Sequence, residues 1–170
     1  MKKVVFVGAS TPNLYGARKL EELGFEVCVY EKNPSHANNQ NRILPVTFLN
    51  KLGITISQEN YGEKEISVKL SSIKDQLAQG LDIVYNAPLQ VYVNTEDIYF
   101  KEELLEFDVA VINTGHKELG IEGKRFYYYN YLLPKNLEEN HFQGKSLITS
   151  VEKVDAIIEN IQRRGENFNF

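Results

Sequence analysis

The sequence predicts an α/β protein with three layers, a mostly parallel sheet and a small antiparallel β insert. Residues 4–7, and residues 109–112 within a predicted strand at 108–113, are short apolar runs without alternation, the pattern of strands buried on both faces of a parallel sheet. Residues 4–31 follow the order strand, helix, strand with short connections, as in a right-handed parallel crossover. Several β-prone runs at about 82–107 predict the insert. At 170 residues we expect a single domain, over residues 1–170.

Charge and cysteine content restrict the kinds of partner. The 19 Lys and Arg against 23 Asp and Glu leave a net charge of −4, so no overall positive field attracts nucleic acid or anionic lipid. Cys28 is the one cysteine of the sequence, so an internal disulfide is excluded. No apolar run approaches the roughly 20 residues of a membrane span. We therefore expect a soluble, cytoplasmic protein that binds neither nucleic acid nor membrane.

The first crossover is defined by two strands around one helix. The first strand, residues 4–7, ends at Gly8. Apolar residues at every third position predict a helix from Asn13 to Leu23, and Gly24 stands where a C-terminal cap belongs. The β-forming run from Phe25 to Glu31 predicts the second strand.

The middle of the chain contains a predicted loop and two predicted short helices. Residues 33–41 are polar and rich in asparagine, which is typical of a loop. Residues 45–53 predict a helix that has its proline in the permitted first turn. Ser72 and Asp75 have the spacing of a helix cap, and they predict a second helix that closes at Gly80.

The remaining elements complete the predicted sheet. The insert is predicted from three runs, Asp82–Asn86, Gln90–Asn94 and Ile98–Lys101. After the strand at residues 108–113, the last strand is expected at residues 145–149. Thr149 and Glu152 have the spacing of a capping box for a final helix that ends near Arg164.

The turn of the first crossover is the most informative segment. Dinucleotide-binding proteins carry the pattern Gly-x-Gly-x-x-Gly there, and here its three positions are Gly8, Ser10 and Asn13. Glu31 ends the second strand, where an acidic residue accepts hydrogen bonds from an adenosine ribose. The helix N-terminus offers unpaired N–H groups to phosphates. This spacing predicts an adenosine-containing ligand, although a tight turn and a solvated strand end explain Gly8 and Glu31 without one.

The same segment resembles the opening of FAD-dependent oxidoreductases of the glutathione-reductase-like class, and most of all their geranylgeranyl-reductase and aromatic-hydroxylase branch. The similar residues are Val5-Phe6-Val7-Gly8-Ala9-Ser10-Thr11-Pro12-Asn13-Leu14, then Gly24, then Val27-x-Val29-Tyr30-Glu31-Lys32. Asn113-Thr114-Gly115 is similar to the Ala-Thr-Gly motif of that class, and Thr149-Ser150 stands where its Gly-Asp is expected. The resemblance implies a Rossmann-like FAD/NAD(P)-binding fold, FAD as cofactor, and a shortened chain that lacks the substrate domain.

Spacing and resemblance together predict the residues that contact the cofactor. They are Gly8, Ser10, Asn13, Glu31, Lys32, Arg42, Thr114 and Gly115. Arg42 follows Glu31 in a polar stretch, where it either contacts a phosphate or an adenine or is simply solvated. FAD is favoured over NADP because Glu31 repels the 2′-phosphate of NADP.

Two functional hypotheses of different class follow. In the first, the chain is an FAD-binding oxidoreductase-like flavoprotein, and the flavin carries the redox chemistry. In the second, it is a non-catalytic relative that binds a smaller adenine nucleotide or a protein partner. The tyrosine-rich residues 126–131 predict either an aromatic stack for the ligand or a strand with an exposed aromatic face, which covers a protein partner or a second copy.

Other kinds of chemistry find little support. His36, His116 and His141 fall in three separate loops without the spacing of metal ligands, so no metal site is predicted. His116 alone follows the end of a central strand, where open α/β sheets bind ligands. Cys28 lies within a strand and is expected to be a small core residue. The patterns of the nucleophile elbow and of the P-loop are absent, so hydrolase chemistry is not predicted.

Overall fold

The chain consists of ten strands and four α-helices in the described residues, and helices connect strands of the parallel sheet. The computed structural model describes residues 2–114, 124–130 and 140–167. In chain order the elements are β1 (Lys3–Val7), α1 (Thr11–Glu22), β2 (Glu26–Tyr30), β3 (Asn41–Pro45), α2 (Val46–Leu52), β4 (Glu65–Lys69), α3 (Leu70–Ala78), β5 (Asp82–Val84), β6 (Gln90–Tyr92), β7 (Asp97–Phe100), β8 (Glu103–Leu104), β9 (Val109–Thr114), β10 (Phe126–Asn130) and α4 (Asn140–Glu166). A short 3₁₀ turn, Gln58–Asn60, precedes β4.

A parallel sheet of five strands lies at the centre, in the order β10-β9-β1-β2-β5. Val4 of β1 pairs with Val27 of β2 on one side and with Val109 of β9 on the other. The parallel strands predicted at residues 4–7 and 108–113 are therefore confirmed. Because all five strands run in one direction, their carboxyl ends lie at the same edge of the sheet.

The sheet is covered on both faces, which confirms the predicted three-layer α/β class. Val4 and Phe6 point into a core shared with α1 and α4, whereas Val5 points into a second core shared with the small antiparallel sheet. Ile98 of β7 is fully buried in that second core. The alternation of β1 side chains between two apolar layers explains its unbroken apolar run.

The antiparallel insert is confirmed, but the prediction of its first strand is wrong. Residues 82–84 pair in parallel with residues 28–30, so this run forms the edge of the central sheet. The insert consists of β6, β7 and β8, which pair in antiparallel order. Short strands of two to four residues carry too little pattern to reveal which neighbour they pair with.

The predicted helices in the middle of the chain are present, with one wrong cap. Gly53 closes α2 in the left-handed conformation, at φ +77°. Helix α3 begins at Leu70, and its N-cap, Lys69, makes no side-chain capping bond, so the predicted cap by Ser72 and Asp75 is wrong. Asp75 instead bonds to a histidine of the preceding loop. The antiparallel ribbon of β3 and β4 was not predicted from the sequence.

The strand predicted at residues 145–149 is wrong, because this segment belongs to the long helix α4. Its buried residues recur at helical spacing: Leu147, Val151, Val154, Ile158 and Ile161. Thr149 and Glu152 thus lie within a helix and form no capping box at its start. The last parallel strand is β10, so the comparison of Thr149-Ser150 with a Gly-Asp at a strand end is also wrong.

The tyrosine-rich strand β10 is buried on both faces. Phe126 and Tyr128 pack in the core on the insert side, and Tyr127 and Tyr129 pack in the core on the helix side. These four side chains are at most 9% exposed. The expected exposed aromatic face is therefore wrong for residues 126–129, because β9 and two apolar layers surround them.

The described ranges contain no helix that has both the length and the apolar character needed to cross a bilayer.

Candidate nucleotide site at the first crossover

The turn between β1 and α1 lies at the carboxyl edge of the parallel sheet. Gly8 has a φ of +99°, a left-handed conformation that favours glycine. Its N–H donates to the carbonyl of Tyr30, at 2.8 Å, which joins the ends of β1 and β2. Ser10 is the N-cap of α1. The N-terminus of α1 thus lies at the edge where β1 and β2 end, as the spacing predicted.

Glu31 follows β2, and its carboxylate lies beside this turn. Its Oε1 accepts a hydrogen bond from the N–H of Ala9 at 2.9 Å, and its Oε2 accepts one from the N–H of Asn33 at 2.8 Å. The residue is buried, at 9% exposure. A carboxylate oxygen can accept more than one hydrogen bond. Glu31 therefore holds the turn in place and retains acceptor capacity for the hydroxyls of a ribose.

The side chains of Ser10, Asn13 and Tyr129 and the backbone N–H of Asn13 form one hydrogen-bonded group at the N-terminus of α1. The N–H of Asn13 donates to Ser10 Oγ at 3.3 Å, the Tyr129 hydroxyl donates to Asn13 Oδ1 at 2.5 Å, and Ser10 Oγ lies 3.3 Å from the Tyr129 hydroxyl. With the Ser10 hydroxyl as donor in the last contact, donors and acceptors alternate around a closed ring. We call this group the Ser10–Asn13–Tyr129 ring.

Asn13 also replaces the glycine that would let helix and strand approach. Its Nδ2 donates to the carbonyls of Val7 and Gly8, at 2.9 and 2.8 Å. The side chains of Asn13 and Tyr129 are fully buried. Both residues therefore belong to the packed interior at this edge of the sheet.

Pro12 and the Ser10–Asn13–Tyr129 ring reduce the number of free N–H donors at the start of α1. The first N–H groups of a helix have no partner inside the helix and are the groups that bind phosphate. Here residue 12 is a proline without an N–H, and the N–H of Asn13 is bonded to Ser10 Oγ. In the part of the chain that the structure describes, the N–H groups of Ser10 and Thr11 remain for a ligand.

Thr11 adds a third donor at the same position. It is the first residue of α1 and is fully buried. Its hydroxyl has no hydrogen-bond partner among the described residues. Burial of a hydroxyl without a partner is unfavourable, so this position carries an unsatisfied donor in the first turn of α1.

The loop after Glu31 is attached to α3 and to the end of β5 through His36. His36 Nδ1 lies 2.5 Å from the Tyr85 hydroxyl, and His36 Nε2 lies 2.7 Å from Asp75 Oδ1. Lys74 Nζ donates to the His36 carbonyl at 3.2 Å. These four residues, the His36 cluster, form a wall of titratable groups on the β2 side of the site.

The charge of Glu31 acts on two members of the His36 cluster. Burial lowers the pKa of the Lys74 ammonium, and the negative charge of Glu31 opposes this shift in part. Burial raises the pKa of the Tyr85 hydroxyl, and the charges of Glu31 and Asp75 raise it further. The cluster was missed in the sequence because its members come from a loop, a helix and a strand end. The signal for His36 was a single histidine in a polar loop.

The other predicted site residues lie farther from this turn or outside the described ranges. Lys32 is exposed directly after Glu31. Arg42 is fully buried on β3, where it donates to Gln40 Oε1 at 2.6 Å and to the Asn41 carbonyl at 2.8 Å. Thr114 is the last residue of β9 and so lies at the same edge of the sheet. Gly115 and His116 lie outside the described residues.

Among the described residues, no group of three or more His, Cys, Asp or Glu is arranged so that it could hold a metal ion. Cys28 is buried in β2, and burial raises the pKa of its thiol to about 11. A thiol in this state is mostly protonated and unreactive at neutral pH.

Comparison with known proteins defines the fold. No protein-family model and no curated protein matches the chain. By contrast, 430 chains of solved structures match its fold. The tetrameric form of 2-methyl-3-hydroxypyridine-5-carboxylic acid oxygenase matches with a TM-score of 0.52 and 19% identity, over 65% of this chain and 38% of that one.

Two further structures give similar values. CtdE in complex with FAD matches with a TM-score of 0.52 and 13% identity, over 66% of this chain and 38% of that one. FqzB matches with a TM-score of 0.51 and 14% identity, over 66% of this chain and 35% of that one. The protein therefore has the Rossmann-like α/β fold of FAD-binding proteins, and it spans about two-fifths of the length of these solved chains.

The two halves of this site fit FAD unequally. The adenosine half fits, because the Gly8 turn and the Glu31 carboxylate stand where a ribose is recognised. The diphosphate half does not fit, because the Ser10–Asn13–Tyr129 ring and Pro12 withdraw donors from the first turn of α1.

Proposed function

We propose that this chain binds an adenine nucleotide at the edge of the sheet where β1 and β2 end. The observation that carries the proposal is the Glu31 carboxylate, which is held 2.9 Å from the Ala9 N–H beside the left-handed Gly8 turn. A buried carboxylate with acceptor capacity left over is suited to the two hydroxyls of a ribose.

Each part of the nucleotide has a group to meet in this arrangement. The ribose lies against Glu31, and the adenine extends toward the His36 cluster. The N–H groups of Ser10 and Thr11, together with the Thr11 hydroxyl, face the phosphate at the positive end of the α1 dipole. Lys32 is exposed next to Glu31 and adds a positive charge at the rim.

The flavoprotein remains a second candidate function because of the fold. CtdE has this fold and was solved in complex with FAD. FAD, when bound, would supply the redox chemistry of an oxidoreductase. The match spans about two-fifths of the length of these solved chains. A purified protein with the visible absorption of a flavin would support this candidate, and a colourless protein that takes up no added FAD would exclude it.

Calorimetric titration with AMP tests the proposal directly. Replacement of Glu31 by alanine should weaken binding by about 1.5 to 3 kcal/mol, the usual value of hydrogen bonds to a charged group. That loss corresponds to a factor of roughly 10 to 150 in the dissociation constant. Equal affinities of wild type and Glu31→Ala would remove Glu31 from the site.

The matched control is Glu26→Ala. Glu26 is an exposed glutamate at the opposite end of the same strand, so its loss makes the same change in net charge. Its effect on AMP binding should be within twofold, an amount near the size of ordinary surface effects. Thermal unfolding of both variants verifies that the Glu31 substitution leaves the protein folded.

A further inference from the structure

We infer that the Ser10–Asn13–Tyr129 ring is a size filter, which admits an adenine nucleoside or its monophosphate and excludes dinucleotides such as FAD. This inference rests on the proposed adenine site and adds what determines the length of its ligand. Three observations carry it: the ring closes on itself, Asn13 and Tyr129 are fully buried, and the donors that remain suit one phosphate.

The closed ring leaves no vacant hydrogen-bonding direction toward a diphosphate. Ser10 Oγ, which would face the phosphates, accepts from the N–H of Asn13 and lies 3.3 Å from the Tyr129 hydroxyl. The Tyr129 hydroxyl donates to Asn13. Displacement of Tyr129 breaks its buried bond to Asn13, where the separated groups have no water to replace it.

Burial shows that the ring is part of the packed interior. Tyr129 and Asn13 are both 0% exposed. Tyr129 reaches the α1 turn from β10, which lies two strands away from β1 in the sheet. Its hydroxyl therefore reaches the N-terminus of α1 from beyond β9, where it contacts Ser10 and Asn13.

The remaining donors match a single phosphate. In the described part of the chain they are the N–H groups of Ser10 and Thr11 and the Thr11 hydroxyl. Pro12 contributes none, and the N–H of Leu14 is bonded to the Ser10 carbonyl at 2.9 Å. Three neighbouring donors can bind one phosphate group, whereas a diphosphate requires a second set.

The experiment compares adenosine, AMP and FAD on the full chain by calorimetry. Wild type should bind AMP, and FAD should bind at least about tenfold more weakly. The double variant Ser10→Gly/Tyr129→Phe frees the backbone N–H of Asn13, removes the Tyr129 hydroxyl and keeps the aromatic ring in the core. We expect its affinity for FAD to rise about tenfold or more and its affinity for AMP to change less than about threefold.

Tyr128→Phe is the matched control, because it removes a hydroxyl from the neighbouring residue of the same strand. The Tyr128 hydroxyl is buried without a hydrogen-bond partner among the described residues, on the opposite side of the sheet. This variant should leave both affinities unchanged. If the double variant does not fold, as judged by circular dichroism, Tyr129→Phe alone replaces it and should give a smaller rise in the same direction.

The possible outcomes test the ring and the proposed function separately. Wild type that binds FAD as tightly as AMP overturns the size filter and leaves the adenine site standing. Wild type that binds none of the three probes counts against the proposed function and against the admitting half of the filter, and a variant that then binds FAD shows only that the ring excludes the dinucleotide. A variant that gains no FAD affinity overturns the filter, whatever wild type binds.

Discussion

On the α1 side of the candidate site the polar groups bond to one another, whereas on the β2 side several retain capacity for a ligand. The Ser10–Asn13–Tyr129 ring is uncharged, and two of its members are fully buried. Glu31 and the His36 cluster are titratable, and Asp75 there has a side chain that is 69% exposed. The first group acts as core, and the second has the character of a binding surface.

This difference assigns stability of the fold mainly to the α1 side of the site and ligand recognition mainly to the β2 side. Buried polar groups stabilise a fold when all of them are satisfied, and they become costly when one partner is removed. Partly exposed charged groups contribute little to stability but can recognise a ligand. Substitutions in the Ser10–Asn13–Tyr129 ring should therefore change the free energy of unfolding more than substitutions in the His36 cluster.

The largest effect is expected for Asn13→Ala. The substitution removes two hydrogen bonds to the carbonyls of Val7 and Gly8 and leaves the Tyr129 hydroxyl without its acceptor. We expect a loss of about 3 kcal/mol in the free energy of unfolding, because several buried groups lose partners at once. Urea denaturation measures it. Asn50→Ala, on an exposed position of α2, should stay within about 0.5 kcal/mol of wild type.

A comparison of two neighbouring tyrosines sharpens the contrast. Tyr129→Phe removes a bonded hydroxyl and should destabilise the protein by about 1 to 2 kcal/mol. Tyr128→Phe removes a buried hydroxyl that lacks a partner in the described part of the chain, so it should be neutral or stabilising by up to about 1 kcal/mol. The urea midpoint of Tyr129→Phe should lie below that of wild type, and the midpoint of Tyr128→Phe should lie at or above it. Equal destabilisation by both would contradict the role assigned to the ring.

The smallest effect is expected for Lys74→Met on the β2 side. Burial disfavours the charged ammonium, so methionine of similar length should stabilise the fold at pH 7 by about 1 kcal/mol. The folded pKa of Lys74 lies below its ordinary 10.5, so between these two values the unfolded chain binds more protons. Wild type therefore gains stability as the pH rises through this window.

The difference between wild type and Lys74→Met should consequently shrink as the pH is raised from 7 toward 10.5. Measuring the difference cancels the tyrosines whose pKa values are raised, which act in both proteins alike. Lys69→Met, on an exposed lysine next to α3, is the control and should show a constant difference. If the difference in the free energy of unfolding between Lys74→Met and wild type stays constant or widens with pH, burial of the Lys74 charge is not the cause of the stabilisation.

Local patterns determined much of the fold. The unbroken apolar runs of β1 and β9, the helical spacing of α1 and the turn at Gly8 all depend on residues close together in sequence. The position of Glu31 at the end of β2 follows from the same short-range order. For these segments the burial pattern of each element agrees with its tertiary position, so the sequence alone predicts both.

Residues far apart in sequence decided the rest. Residues 145–149 and 126–130 are both rich in β-forming residues, and only the pairing of β10 with β9 made the second one the strand and left the first in α4. In the same way, the sequence shows only that Asn13 occupies the third glycine position of the pattern. Its structural role depends on Tyr129, 116 residues later, whose hydroxyl donates to Asn13 Oδ1. Short runs of similar propensity are separated by tertiary packing, and a buried polar side chain takes its function from the partner that packing brings to it.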